Sequence, residues 1–598
     1  PGTINVTSIL PGFQDPPCAG GSGSGLDQNT ASGHDDRRGQ SHFTGPSASL
    51  SLVSDLRAVI TKYDANADFV RDTLVSALAA TLSRPRSAAG APTVTIQWPA
   101  EPRLVYELLD VFLQYILPTF PVIRPLDFLQ TLNELQSQPM GFASASEAIQ
   151  LSIAAMMALS ASWLVCQRGR YELKGVVASA AERALSLLGQ VSCTTSFQAM
   201  QASLLWSYHL HNHNQRDAAW NVLGIAIRVA CGLGIHHHGV EASTKSHTDL
   251  EMMKLAFWTM YSYERFLNAS LGRPTALNDD DINTQLPSYS MTEVSLHTPL
   301  NYIQYDVQLS RILGQVNQSL YRLGSAPQTV DMEALLEVLD KWYKDLPAYL
   351  LPNAPMPQSY KHATMLLHSK YYAIRQYVTR PIMRSFIRHC DEEYSFEQLT
   401  QLPLLRDCIF SAQHCVRSLS SLEEGGRLDG SNAIPVYWAY ISVLVLSAPF
   451  AAELRQRRIK HTPPYLTDLI AQRADLIKPL KDCLHILPRN HQASPTSNRF
   501  AEVARRVCSA IQIEAEQAKA KGKGNESNTP FSAELPLIPL FEFDTNAAFP
   551  ISSFTSELPF EPQTTGMFSH SVDNDYPPST SLDDLLQWLQ STSSETGV

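Results

Sequence analysis

Three adjacent aspartates, Asp279, Asp280 and Asp281, are the residues most suggestive of chemistry. Clustered carboxylates can hold magnesium ions against a diphosphate. That chemistry needs the spacing Asp-Asp-x-x-Asp on one helical face, but Asn283 occupies the fifth position here. Adjacent carboxylates on a helix also point in different directions. We therefore interpret the three residues as an acidic helix start, which the helix dipole favours.

Two groups of histidines could bind zinc, which needs three or four converging ligands. His209, His211 and His213 alternate along the chain, whereas residues four apart share one face of a helix. The second group, His236 to His238, follows the end of a predicted helix. We interpret both groups as clusters without metal, and we expect no metal ion or other cofactor in this chain.

The nine cysteines are scattered, odd in number and never arranged as Cys-x-x-Cys. Such thiols fit a reducing compartment better than a disulfide framework. Cys408 and Cys415 are two helical turns apart, so we expect both to face the interior from one side of a helix. No residue is a credible catalyst. Because the first residue is Pro1 rather than Met, we expect a fragment or a processed product.

Acidic charge is concentrated at the C-terminus. After Asn525 there are eleven Asp or Glu residues and no Lys or Arg, while the whole chain has a net charge of −11. Residues 1–524 are therefore neutral and lack the basic face that binds DNA phosphates. The tail also carries spaced aromatics among Ser, Thr and Pro residues, a composition typical of disordered activation domains.

Apolar residues recur with helical spacing from Pro102 to about residue 520, without a strand-like alternation. This pattern predicts an all-α fold, a large and irregular solenoid-like helical body. The uncharged run from Gly430 to Ala452 is long enough to span a membrane, but Pro435 and Pro449 interrupt it. We predict a buried helix there and no membrane partner.

Composition divides the chain into four parts. Residues 1–48 are rich in Gly, Ser and Pro and are predicted to be a disordered linker. Residues 49–98 are predicted to be a helix and a linker, residues 99–520 an all-α domain, and residues 521–598 a disordered acidic activation tail. The most distinctive pattern, residues 196–287, lies inside the all-α domain.

This pattern combines aromatic, glycine and arginine positions in a fixed order. Its signature residues are Trp220, Gly224, Arg228, Gly234, His236, Phe257, Trp258, Glu264, Arg265, Gly272, Arg273 and Pro274. They resemble the regulatory middle homology region, or fungal-specific transcription factor domain, of fungal binuclear zinc-cluster transcription factors. The stretches 118–128, 339–347 and 367–382 also resemble that family. The chain departs from the family pattern at Glu264, where Asp is usual.

The signature also has a physical interpretation. Its apolar residues are expected in the core, where buried aromatics contribute most to packing. Gly224 is expected to let a neighbour approach closely, and Gly234 to end its helix in a left-handed conformation. Arg273 lies between a glycine and a proline, so we expect its guanidinium to bind helix-end carbonyls or a carboxylate such as Glu264.

The resemblance implies a transcription regulator of the fungal nucleus. It implies that a zinc-cluster module, absent from this chain, holds zinc and contacts DNA. The helical body would then regulate activation, and the tail would recruit the transcription machinery. A homodimer and a small-molecule effector are also compatible with it. The alternatives are a regulator that lacks DNA binding and acts through intact family members, or an all-α enzyme resembling terpene cyclases.

The tail contains one candidate recognition helix. Ser581 can cap its start, and two aspartates follow in the first turn, where the dipole favours them. Its apolar stripe consists of Leu582, Leu585, Leu586 and Leu589, with Trp588 beside it. A segment this short is helical only against a partner, so we predict an activation helix that binds a hydrophobic groove. The alternative is a terminal helix that docks on the body.

Overall fold

The computed structural model describes residues 32–35, 41–61, 101–238, 246–288, 299–324, 326–389, 401–424, 428, 430–459, 473–487 and 494–522. The predicted activation helix therefore lies outside the described residues. The chain divides into two compact units, Pro1–Lys519 and Ala520–Val598.

Helices dominate the described residues, which confirms the all-α prediction. They are α1 (Ser49–Thr61), α2 (Pro102–Val111), α3 (Pro125–Gln136), α4 (Glu147–Arg168), α5 (Lys174–Ser192), α6 (Phe197–Asn212), α7 (Arg216–Gly232), α8 (His247–Leu271), α9 (Tyr302–Leu320), α10 (Thr329–Lys344), α11 (Gln358–Arg388), α12 (Leu402–Glu424), α13 (Ala433–Ile459), α14 (Arg473–Ile486) and α15 (Pro495–Gly522). Phe112–Ile116 continues α2 as a π-helical turn.

Local sequence signals explain where several helices begin and end. Ser196 and Ser246 cap α6 and α8, since their hydroxyls accept hydrogen bonds from the backbone N–H of Ala199 and Asp249 at 3.1 and 3.3 Å. Pro102 occupies the first turn of α2, where its missing N–H costs nothing. At the other end of α8, Gly272 adopts the left-handed conformation with φ of 69°.

Consecutive helices pack against each other along most of the body. The pairs α4–α5, α6–α7, α8–α9 and α11–α12 are in contact, and α4 also meets α6 while α11 meets α9 and α13. Such packing buries the apolar stripe of each helix against its neighbours in sequence. The result is the irregular helical body that the sequence predicts.

Two helices of the described part are long and apolar enough to cross a membrane, Glu147–Arg168 and the Ala433–Glu453 portion of α13. Their apolar stretches are 89% and 94% buried inside the body. Burial in the core accounts for their composition, and residues 433–453 form the buried helix predicted there.

The N-terminal region differs from the linker predicted for residues 1–48. Strand β1 (Ser32–Asp35) pairs antiparallel with β2 (Ser41–Thr44). The chain then continues as the segment Gly45–Thr61, here called the N-terminal strap, whose helix α1 packs on α11 and α13. Its apolar side chains are buried; they are Leu50, Leu52, Val53, Leu56 and Val59. Neither glycine content nor periodicity reveals this packing, because it depends on helices far along the chain.

Candidate functional site: the signature network and an adjoining aromatic cleft

Helices α7 and α8 place several signature residues in one hydrogen-bonded network. The indole Nε1 of Trp220 donates to Asn268 Oδ1 at 2.7 Å, and Asn268 Nδ2 donates to Glu264 Oε1 at 2.6 Å. The same carboxylate oxygen accepts from the backbone N–H of Ala276 at 2.7 Å. Glu264 is only 1% exposed. It therefore ties the loop after α8 to the body of that helix.

Arg265 is the second centre of this network and is fully buried. Its guanidinium donates to Glu264 Oε2 at 3.1 Å, to the carbonyl of Leu277 at 3.0 Å and to Asp279 Oδ1 at 2.9 Å. Tyr261 lies beneath it, with 4.5 Å between the guanidinium carbon and the ring centroid. Burial by itself lowers the pKa of Arg265, but Glu264, Tyr261 and Asp279 together raise it. The group is a permanent cation that joins helix and loop.

Arg273 binds a carboxylate, but its partner is Asp217 at the start of α7 rather than Glu264. The guanidinium also stacks on Trp220, with 4.9 Å from its central carbon to the ring centroid. Glu264 is already engaged by Arg265, Asn268 and the loop backbone. Arg273 therefore joins the loop after α8 to the start of α7.

The acidic triplet is part of the same network and is not the start of a long helix. Asp279–Asp281 form a single 3₁₀ turn capped by the side chain of Asn278. Asp279 accepts from the Tyr261 hydroxyl at 2.7 Å as well as from Arg265. Among the described residues, no group of three or more His, Cys, Asp or Glu side chains could hold a metal ion.

The alternating histidines are part of the core. His209 and His211 are 2% and 1% exposed, and His209 stacks on His213 with 4.0 Å between ring centroids. Burial lowers the pKa of His211 to about 3 and that of His213 to about 4, and it places the pKa of His209 well below 6.5. These imidazoles are neutral at physiological pH and act as packing groups.

The remaining signature positions have different roles. Gly234 ends α7 with φ of 73°, as predicted. The expectation for Gly224 is wrong, because a Cβ at that position would meet nothing within 4 Å. Arg228 is exposed, so α7 has a solvent side and is not central. The backbone carbonyl of His236 accepts from Asn283 and Thr284 and holds the segment after the acidic turn.

A cleft that the sequence did not indicate adjoins this network. It lies between the Thr119–Pro121 turn, helices α8, α9 and α11, and the beginning of α13, and its volume is about 100 Å³. We call it the aromatic cleft, since seven rings line it: Phe120, Tyr208, Trp258, Tyr263, Phe266, Tyr302 and Trp438. Phe120 stacks on Tyr208 with 4.3 Å between centroids and meets Tyr263 edge-on.

One charged pair faces the aromatic cleft. Lys370 on α11 donates to Asp306 Oδ1 at 2.6 Å, to the Asp306 carbonyl at 3.1 Å and to Ser310 Oγ at 2.7 Å. Burial lowers the pKa of Lys370, while the adjacent Asp306 carboxylate opposes that change. Lys370 lies four residues from Leu366 and from Ile374, both buried. The position of Lys370 within an apolar helical stripe is the sequence feature that could have indicated the aromatic cleft.

A smaller cavity of about 30 Å³ lies next to the aromatic cleft. The two share Thr119, Tyr208, Asn432 and Pro435 as wall residues. Its other walls include apolar residues such as Ile116 and Leu159 together with Ser162 and His213, whose Oγ and Nε2 are 3.3 Å apart. The two cavities are therefore neighbours that share one wall.

Comparison with known proteins finds similarity to fungal transcription regulators. Residues 109–344 match the fungal specific transcription factor domain. The chain is 30% identical over 177 residues to an uncharacterized transcriptional regulatory protein of Schizosaccharomyces pombe, covering 27% of this chain and 23% of that protein. It is 26% identical over 266 residues to Activator of stress genes 1 of Saccharomyces cerevisiae, covering 41% of this chain and 27% of that protein.

A third relative is the transcriptional activator protein acu-15 of Neurospora crassa, 24% identical over 302 residues, with 48% of this chain and 32% of that protein covered. The chain thus spans between about a quarter and a third of the length of these relatives. The matched domain contains the signature network and most walls of the aromatic cleft, while α11 and α13 lie beyond its last residue.

Proposed function

We propose that the protein is a nuclear regulator of transcription of the zinc-cluster type, because residues 109–344 match the fungal specific transcription factor domain. A zinc-cluster module outside this sequence holds zinc and contacts DNA. The helical body controls activation, and the acidic tail after Asn525 recruits the transcription machinery. The observation that carries this proposal is the domain match together with the signature, which folds into one network centred on Glu264 and Arg265.

A regulatory role for the body agrees with its side-chain chemistry. In the described residues, three charged signature groups are paired: Arg265 with Glu264 and Asp279, and Arg273 with Asp217. Paired groups that join helices and loops supply rigidity rather than a reactive centre. The body is therefore suited to holding alternative partners or ligands in a defined geometry.

An activating role for the tail is supported by its composition. Eleven acidic residues and no Lys or Arg follow Asn525, and aromatic residues are spaced among them. Acidic charge keeps apolar residues accessible to a partner, and a short amphipathic segment can become helical in a partner's groove. The stripe of Leu582, Leu585, Leu586 and Leu589 is the segment proposed to bind.

The test is a reporter assay with residues 525–598 fused to an unrelated DNA-binding domain. The wild-type fusion should activate, and changing Leu585, Leu586 and Trp588 together to Ala should remove most of the activity. A control with Pro577, Pro578 and Thr580 changed to Ala, matched in number and near in sequence, should keep it. An inert wild-type fusion would contradict the activating role of the tail.

A further inference from the structure

We propose that the aromatic cleft binds a compact, single-ring aromatic molecule that carries an N–H or O–H hydrogen-bond donor. This inference rests on the proposed function in one respect, since the bound molecule would act as the effector of the regulatory body. The binding itself follows from the size, the walls and the hydrogen-bonding capacity of the cleft.

The volume limits the ligand to one ring. The aromatic cleft measures about 100 Å³, and the neighbouring cavity measures about 30 Å³. An enclosed apolar cavity of roughly 150 Å³ is enough to bind benzene in a protein core. The aromatic cleft is smaller than that cavity, so it has room for no more than one six-membered ring, whose small polar substituent can point to the Asp306–Lys370 pair in the cleft wall.

Two rings of the wall, Trp258 and Tyr263, have their polar atoms hydrogen-bonded to backbone carbonyls. The indole N–H of Trp258 is used by the carbonyl of Gln285 at 2.9 Å, and the hydroxyl of Tyr263 donates to the carbonyl of Ser207 at 3.3 Å. These bonds also hold the two rings in fixed orientations. Fixed ring faces and edges favour an aromatic ligand, because offset-stacked and edge-to-face pairs gain more than their buried area alone.

The hydrogen-bonding capacity at the charged pair selects the ligand's polar group. An ammonium has three N–H donors, and Lys370 uses them on the Asp306 carboxylate, the Asp306 carbonyl and Ser310. A carboxylate accepts about four hydrogen bonds, so Asp306 retains acceptor capacity. The Asp306 side chain is also the more accessible of the two, 18% exposed against 10% for Lys370. A ligand donor is therefore accommodated, whereas an anion would have to displace Asp306 from Lys370.

The position of the cleft connects a ligand to the rest of the body. Trp258, Tyr263 and Phe266 belong to α8, which also carries Glu264 and Arg265. Trp438 belongs to α13, on which the N-terminal strap packs. A ring bound between these helices would favour one relative arrangement of the signature helix and the helix beneath the strap.

The experiment is titration of the purified chain of 598 residues with phenol, benzoate and toluene, followed by ligand-observed NMR. Phenol should bind about ten-fold more tightly than benzoate or toluene, the ratio that roughly one net hydrogen bond produces. Asp306→Asn should remove most of the preference for phenol over benzoate. Equal affinities for phenol and benzoate would overturn the proposed selectivity, and the absence of phenol binding would overturn the site.

Two tryptophan substitutions on α9 locate the binding. Ile303 lines the aromatic cleft, so Ile303→Trp should fill it and abolish phenol binding. Gln308 is exposed on the same helix, so Gln308→Trp should leave the affinity unchanged. Equal thermal melting of the two variants shows that the loss comes from the filled cleft; phenol binding that survives in Ile303→Trp would overturn the assignment. The tail reporter assay does not involve the cleft, so failure of one proposal is distinguishable from failure of the other.

Discussion

The main chains of Gly45 and Gly272 lie directly against each other. A Cβ on Gly272 would come within 2.5 Å of the Gly45 Cα, and one on Gly45 would come within 1.8 Å of the Gly272 carbonyl oxygen. Beside this contact, Ser47 Oγ donates to the carbonyl of Ala269 at 3.0 Å, and Arg380 donates to the carbonyl of Ser47 at 2.9 Å. The signature turn after α8 is thus covered by the N-terminal strap.

Substitution by alanine should change the stability of the body in opposite directions at two signature glycines, Gly224 and Gly272. Gly272→Ala should lower the free energy of unfolding by about 1–3 kcal/mol or more, because the methyl group meets backbone and φ is 69°. Gly224→Ala should raise it by about 0.5–1 kcal/mol, because the position is helical and open. Urea denaturation of both variants measures this. Destabilisation by Gly224→Ala would mean that a neighbour approaches it closely after all.

Arg273→Ala should destabilise the body by about 1–2 kcal/mol, since it removes both the Asp217 pair and the stacking on Trp220. Asp217 is 42% exposed, so Asp217→Ala should cost less, within about 1 kcal/mol. Arg273→Lys should recover only part of the loss, because an ammonium lacks the planar guanidinium. Thermal and urea melts compare the three variants. Unchanged melting of Arg273→Ala with a lost regulatory response would identify Arg273 as a ligand contact.

Acidification should destabilise the body through its buried histidines. The folded pKa of His211 is about 3, below the unfolded value of 6.5, so the unfolded state binds a proton that the folded state excludes. The contribution of His211 to stability is therefore complete above pH 6.5 and is lost as pH falls toward 3. The loss is roughly 1.4 kcal/mol per pH unit for one such histidine.

The test is the free energy of unfolding between pH 7 and 4.5 for the parent and for His211→Phe. The variant should show a shallower decrease, because phenylalanine does not titrate. His237→Phe, at an exposed position, is the matched control and should keep the slope of the parent. Identical slopes for the parent and His211→Phe would contradict a depressed pKa at this position.

The chain of 598 residues alone should not bind DNA in a sequence-dependent manner. Residues 1–524 are neutral by composition and the tail is acidic, so phosphate contacts and base recognition have no evident source. Gel-shift titration at low salt with a panel of duplexes measures this. Tight binding that distinguishes between duplexes would contradict the prediction and would place a DNA-binding surface within this chain.

Local patterns predicted the helical elements well because their causes are local. The proline of α2, the serine caps of α6 and α8 and the left-handed Gly234 act within one or two turns of chain. The uncharged run beginning near Ala433 had to be buried somewhere, since it is too apolar to face water. The sequence by itself therefore determined the all-α fold class, the buried helix in the run from Gly430 to Ala452 and the resemblance carried by the signature.

Only the tertiary structure decided which distant residues meet. Arg273 forms its ion pair with Asp217 and not with Glu264, because the Glu264 carboxylate already accepts hydrogen bonds from Arg265 and Asn268. The N-terminal strap contacts Gly272 and Arg380, although its glycine and serine content is typical of a linker. The aromatic cleft arose where α8, α9, α11 and α13 leave a gap, and Lys370 faces it opposite Asp306. The spacing of apolar residues indicates which face of each helix is buried. Which helix packs against that face depends on the packing of all the helices together.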